Sequence, residues 1–349
     1  MRGFTVLLLL LFISGNSYAE TAPLKIGFVY IGPVGDHGWN YQHDQARLAL
    51  EKEFGDRIKT TYVENVPESA DAQRVFTQLA KTGHKLIFAT SFGYMNPVAK
   101  TAKRFPQVIF EQVNGYKQSR NMTIYQAKTY EALFVSGYLA ASMSKTGKVG
   151  YLGTFPIATV IRDINATKLG MSLANPKAEL KVVWLSTWYD PVKETDATNL
   201  LIDQGVDVVL QQTDSTAPTQ VAQRRGAYAI GLSSDMAEYG PDAHLFTVMT
   251  DWTSYYTQQT REVLAGKWKP VPYWGGFKEN TVFLSPFNKV IPQALQTKAK
   301  KLIADISAGR LHPFQGPIWD NKGVLRIPQG QQASIDDIAT MNWLVKGVK

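Results

Sequence analysis

Cysteine is missing from all 349 residues. No disulfide can staple the fold, and no cysteine is available to carry an N-terminal lipid anchor. Stability must therefore come from a large apolar core. Long apolar runs are also scarce. Val6–Ile13 ("VLLLLLFI") is the longest notable one, and it falls well short of the roughly 20 residues a membrane-spanning helix needs. It follows Arg2 and precedes small residues at Ser17 and Ala19, the layout of a secretory signal peptide over residues 1–19. Export to the periplasm of a two-membrane bacterium is the expectation.

Catalytic signatures are absent too. The chain carries no Walker A, GxGxxG, GxSxG or HExxH pattern. Asp36, His37, His43 and Asp44 cluster in sequence, but a histidine spacing of six matches no common zinc pattern, so no metal or cofactor is expected. The 37 basic residues exceed the 29 acidic ones, for a net charge of +8. They are scattered, and the densest group, Lys298–Lys301 ("KAKK"), suits a solvated helix face rather than a nucleic-acid surface.

What remains is a strict alternation. The stretches "LKIGFVYIGP", "TTYVENV", "KLIFATSF" and "QVIFEQVN" read as strands, separated by helical "NYQHDQARLALEKEFG", "SADAQRVFTQLAKTGH" (Ser69 as N-cap, Gly83 as stop) and "PVAKTAKRFP". After residue 126 the pattern restarts with "KVGYLGTF", "LKVVWLSTW", "VDVVLQQTD", "AYAIGLSSD" and "HLFTVMTD". Two consecutive βα runs predict an α/β protein of two doubly wound parallel-sheet lobes. Such sheets bind ligands beyond the carboxyl ends of their strands. The loops there hold Asp36, Trp39 and Asn40, then Phe92 and Tyr94, then Asn114 and Tyr116. The second run adds Phe155, Trp188 and Tyr189, then Asp214, then Asp235, then Asp251 and Trp252. Flat apolar faces beside a few carboxyl and amide groups suit a planar heteroaromatic ligand carrying N–H donors. A carboxylate-rich rim argues against phosphate or amino-acid carboxylate ligands.

The stretches "KIGFVYIGPVGDHGWNYQHDQAR", "TSFGYMNP", "YEALFVSGYLAA", "STWYDPVKETDATNLLIDQGVDVV", "TDSTAPTQVAQ" and "AIGLSSDM" resemble the basic membrane protein (BMP) family of substrate-binding proteins, relatives of purine nucleoside receptors that feed ABC transporters. The likeness covers nearly the whole chain from Leu24. It implies a type I periplasmic-binding-protein fold: two lobes, three crossovers, a hinge and a ligand in the cleft. It implies a first lobe over 24–126 and about 252–285, and a second over 127–251 and about 286–349. Trp39 and Asn40 fall where the family has an aromatic–Asn pair, Trp188 falls near its second aromatic, and Asp235 matches its ligand-holding Asp.

"TDSTAP" stands where many nucleoside receptors have a Gly-rich turn, and no lysine matches their ribose contact. The implied ligand is a purine base or nucleoside, adenine-like by preference, with room for a free base such as adenine. The implied protein is not an enzyme, acts as a monomer, and delivers a purine to an inner-membrane permease through Trp39, Asn40, Phe92, Tyr94, Trp188, Asp214 and Asp235. Two alternatives stay open: a periplasmic nucleoside hydrolase using the aspartates, and a sensor accessory that presents ligand to a membrane receptor.

Overall fold

The computed structural model describes residues 22–349; the signal segment expected at 1–19 lies outside them. The first lobe is built from β1 (Leu24–Val29), α1 (Gly38–Phe54), β2 (Ile58–Val63), α2 (Ala70–Lys81), β3 (Leu86–Ala89), α3 (Met95–Arg104), β4 (Ile109–Val113) and β5 (Met122–Ala127). The second begins with α4 (Thr129–Met143) and β6 (Lys148–Gly153), then α5 (Ala158–Ala174), β7 (Glu179–Trp184), α6 (Pro191–Asp203) and β8 (Val208–Gln211). It continues through α7 (Ala217–Arg225), β9 (Tyr228–Ser233) and β10 (His244–Thr250).

The chain then returns to the first lobe. Helix α8 (Thr253–Leu264) packs on α1, and β11 (Tyr273–Gly275) adds to the edge of the first sheet beside β5. Strand β12 (Val282–Leu284) pairs antiparallel with β10 of the second sheet. The third crossover therefore runs over 276–281, several residues earlier than the boundary near 285 expected above. Helix α9 (Gln293–Ser307), the small hairpin β13 (Ile318–Trp319) and β14 (Leu325–Ile327), and α10 (Ile335–Ala339) complete the chain. The last residues lie along the second sheet, where Val182 N–H donates to the Lys349 carbonyl (2.8 Å) and Lys349 N–H to that of Leu180 (3.0 Å).

The first sheet has strand order β11-β5-β4-β3-β1-β2 and the second β12-β10-β9-β8-β6-β7. All neighbouring pairs are parallel except β10–β12. Sheets covered by helices on both faces need strands apolar on both faces, and β3 ("LIFA") and β8 ("VVLQ") are buried at every position. The order reverses between β1 and β3 in one lobe and between β6 and β8 in the other. Those switch points open crevices at the strands' carboxyl ends, and the two crevices face each other across the cleft. The three crossovers are bound side by side: Lys128 N–H donates to the Gly275 carbonyl (2.6 Å) and Asp251 N–H to that of Thr281 (3.0 Å).

Helix α4 is buried on almost every side, with apolar residues all round, as expected of a helix enclosed by its neighbours. It crosses α5 at two glycines. A Cβ on Gly170 would strike the Phe134 carbonyl oxygen, and one on Gly137 the Thr167 carbonyl oxygen. Because backbone cannot yield as a flexible side chain can, Gly170→Ala should force the helices apart and destabilise the fold by about 3 kcal/mol or more, read as a lower denaturation midpoint. A midpoint within error of the wild type would contradict this packing.

Candidate functional site

Helix α1 starts without a cap of its own: His37 precedes it and makes no capping side-chain bond. The first four N–H groups of a helix have no intrahelical acceptor, and here the opposite lobe supplies acceptors for the first two. Gly38 N–H donates to Ser234 Oγ (2.8 Å) and Trp39 N–H to Asp214 Oδ1 (3.0 Å), while Gln42 Nε2 also reaches Ser234 Oγ (3.0 Å). Gly38 sits at φ +87°, and a Cβ there would meet Asp214 at 3.2 Å. Both the backbone conformation and the closeness of the lobes call for glycine at this point.

Trp39 is fixed from within its own lobe. Its indole N–H donates to the Thr90 carbonyl (2.7 Å), and the edge of His43 packs on it at 4.6 Å between centroids. His43 in turn stacks on Trp252 (5.1 Å, 8° between planes) and bonds Tyr256 Oη through Nδ1 (2.6 Å). Complete burial holds this imidazole well below its usual pKa, so it is neutral. Across the cleft, Trp188 packs on Phe155 (5.1 Å) and its buried indole N–H has no partner.

Trp39 and Trp188 line one interlobe cavity of about 740 Å³ of empty space, partly open to solvent. Ile31, Ile157, Val160 and Leu232 add apolar wall. Thr90, Ser91, Asn114, Thr129, Thr159, Gln212, Ser233 and Thr250 add neutral polar groups. Among the described residues Asp214 is the one ionisable side chain in this lining. Burial pushes its carboxyl up to about 7; the Trp39 N–H opposes that rise and nearby Glu194 adds to it. Its loop is held by Gln211, whose Nε2 donates to the carbonyls of Thr213 and Ser215 (2.8 Å each). Asn114 and Ser233, at strand ends in opposite lobes, both adopt positive φ (53° and 69°). That region is uncommon for non-glycine residues and concentrates at ligand sites.

A family profile described as ABC transporter substrate-binding protein PnrA-like (Bmp) matches residues 24–310. The chain belongs to the Bmp family. It is 46% identical over 336 residues to a purine-binding protein of Brucella abortus (strain 2308), covering 96% of this chain and 95% of that protein. It is 32% identical over 308 residues to a candidate ABC-transporter glucose-binding protein of Haloferax volcanii, covering 88% and 78%. Among solved structures, an ABC-transporter solute-binding protein from Aeropyrum pernix K1 superposes with TM-score 0.72 at 17% identity, over 90% of this chain and 95% of the other. One from Conexibacter woesei does so with 0.68 at 21%, over 83% and 98%. These structures share the periplasmic-binding-protein fold with the Bmp chain.

Of the residues singled out from this Bmp sequence, Trp39, Phe92, Trp188 and Asp214 line the cavity. Asn40 does not; it lines an adjoining chamber with Pro33, Thr187 and Tyr189, where its buried Oδ1 lacks a partner. Tyr94 is a correction. It is fully buried against Phe76 and donates its hydroxyl to the Val66 carbonyl, inside the first lobe. Asp235 is a second correction. Left-handed Ser233 swings Ser234 into the lobe contact and turns Asp235 outward, where its side chain is 46% exposed, accepts from Ala237 N–H (3.1 Å) and lies 3.9 Å from His244. The small polar lining residues Thr90, Ser91, Thr129, Thr159 and Thr250 were missed. Gln212 stands two residues before Asp214 on the same strand end, and a full reading of that loop would have included it.

Among the described residues no helix is long and apolar enough to cross a membrane. The Asp214 carboxyl has a testable consequence. In the unfolded chain it titrates near its ordinary value, so between about pH 4 and 7 the folded state holds the extra proton and stability falls as pH rises. Asp214→Asn removes this contribution. Its melting temperature should match the wild type at pH 4 and exceed it increasingly up to pH 8. A difference that is flat with pH would remove the buried carboxyl from the account.

Proposed function

We propose that this chain captures a purine free base of the adenine type in the interlobe cavity, and from the periplasm hands it to the permease of an ABC importer. One observation carries the reading: two indoles, Trp39 and Trp188, one from each lobe, face a single cavity whose lining has one ionisable group, Asp214. Two aromatic walls suit a flat ring. A wall of hydroxyls, amides and one carboxyl suits a neutral ligand with N–H donors. The absence of Lys and Arg from this lining among the described residues disfavours nucleotides and other anions, which call for such groups. The 46% identical relative named for purine binding supports the same substrate class.

Both walls come from one chain, so a monomer suffices. The Ser234 and Asp214 contacts to α1 hold the lobes together, and the face so formed would be what a permease reads. Export would depend on residues 1–19. The relative named for glucose motivates the second reading, since indoles also stack on sugar rings.

Calorimetric titration with adenine, hypoxanthine, guanine, their nucleosides and glucose separates these readings. Adenine should bind more tightly than adenosine, and glucose should not bind. Trp39→Ala and Trp188→Ala should each weaken adenine by roughly 10- to 100-fold, because each loses both apolar burial and a stacked contact of about 0.5–1.5 kcal/mol. Binding of glucose without any purine would transfer the site to sugars. Release of free base from adenosine on prolonged incubation would make it a hydrolase.

A further inference from the structure

Behind the cavity wall sits a carboxyl that does not reach the cavity. Asp163, on α5, is fully buried. Both of its oxygens lie 2.9 Å from Thr129 Oγ1, and Oδ2 also lies 3.1 Å from Gln212 Nε2. Gln212 Oε1 is met by the Tyr151 hydroxyl. Burial raises the Asp163 carboxyl to about 6, with the Arg162 guanidinium, Gln212 and Thr129 holding it down; at pH 7.5 it is ionised and can only accept hydrogen bonds.

The consequences follow from donor and acceptor inventories. Thr129 has one hydroxyl proton, and Asp163 takes it, so toward the cavity Thr129 offers lone pairs alone. The Gln212 amide does not flip, because its oxygen would then face the Asp163 carboxylate. It keeps Oε1 on Tyr151 and one N–H on Asp163, leaving its second N–H as a donor. Thr129 and Gln212 both line the cavity. We propose that Asp163 is a specificity-determining positioning residue: without touching ligand, it fixes Thr129 as an acceptor and Gln212 as a donor, and so sets the hydrogen-bond pattern the cavity accepts. The inference rests on the purine reading above and deepens it.

Asp163 also offsets the buried charge of Arg162, whose Nη1 donates to Gln126 Oε1 (3.0 Å) and whose guanidinium lies 5.1 Å from the Trp274 ring. A purely structural role is therefore the rival, and the readout must be selectivity rather than affinity. We would measure dissociation constants at pH 7.5 for adenine, hypoxanthine and 9-methyladenine, which alter donors and acceptors on two different edges of the ring. In Asp163→Asn one of the two acceptor oxygens beside Thr129 Oγ1 becomes an N–H donor, which makes Thr129 Oγ1 an acceptor toward it and frees the Thr129 proton for the cavity, and at least one of the two ratios to adenine should change by about tenfold or more. Thr129→Val should shift the same ratio, and Thr129→Ser, which keeps the hydroxyl, should restore it.

Equal weakening of all three purines in Asp163→Asn, with both ratios within twofold of wild type, overturns the proposal and leaves Asp163 a structural counter-charge. Should Asp163→Asn fail to fold, unchanged ratios in Thr129→Val overturn it equally. A wild-type protein that binds none of the three purines refutes the purine reading itself, and this inference with it. Wild-type binding with unmoved ratios refutes the inference alone.

Discussion

The uncapped start of α1 is the constraint around which the site is organised. A helix N-terminus carries partial positive charge and unsatisfied N–H groups, and a sequence normally supplies Ser, Thr, Asp or Asn just before it. Here the preceding residue, His37, makes no such bond, and the acceptors Ser234 and Asp214 come from the other lobe, about 175 to 196 residues further along the chain. The first two N–H groups of α1 take their acceptors from across the cleft. The contact point is glycine, so the two backbones can approach closely, and the next residue is the indole that forms one wall of the cavity. The capping of a helix, the closing of a cleft and the placing of an aromatic wall are thus one event in three adjacent residues.

That wall is held rigidly. Trp39 leans on His43, His43 stacks on Trp252, and Tyr256 and Tyr125 continue the aromatic layer with hydroxyls 2.9 Å apart. Trp252 lies directly after the second crossover, and Tyr256 lies one turn later on α8. The returning segment therefore does more than extend the first lobe, because it provides the backing for the cavity-facing indole. A neutral, desolvated imidazole suits this position, since a charged one would need a counter-ion that an aromatic layer cannot supply. Preorganised walls reduce the ordering cost of binding, and coupling the wall to a crossover ties the site to the hinge.

The parts of this arrangement legible in the sequence are those governed by local rules. Alternating apolar runs marked the parallel strands, Ser69 and Gly83 marked a helix start and stop, and the switch-point rule pointed to the loops that do converge. Trp39, Phe92, Trp188 and Asp214 were found in this way. The failures share one cause. At a strand end, adjacent residues point in opposite directions, so a shift of one position separates the cavity from solvent or core. Asp235 is turned outward by the left-handed Ser233, and Tyr94 is turned inward by the short helical turn that follows Ser91. Neither rotation has a signal in composition or spacing. The threonines of the lining carry no signal either, since isolated hydroxyls occur on every surface. Asp163 was beyond reach for a further reason: its importance depends on Thr129 and Gln212, which only the assembled second lobe brings to it.

The charge distribution narrows the chemistry further. A cleft cavity that buries a single carboxyl with a near-neutral pKa penalises that group whenever it ionises without a partner. A ligand N–H beside Asp214 would relieve the penalty, whereas a ligand anion would deepen it. Trp188 brings a buried indole N–H with no acceptor, and Thr250 of the lining has a buried hydroxyl without a partner, so a ligand that only donates would leave the indole unsatisfied. The complement to this site is a flat, uncharged molecule with acceptors and donors alternating around its rim. The purine proposed above meets both demands, and on the role proposed for Asp163 the buried carboxyl behind the wall leaves Thr129 and Gln212 little freedom to adapt to a different rim.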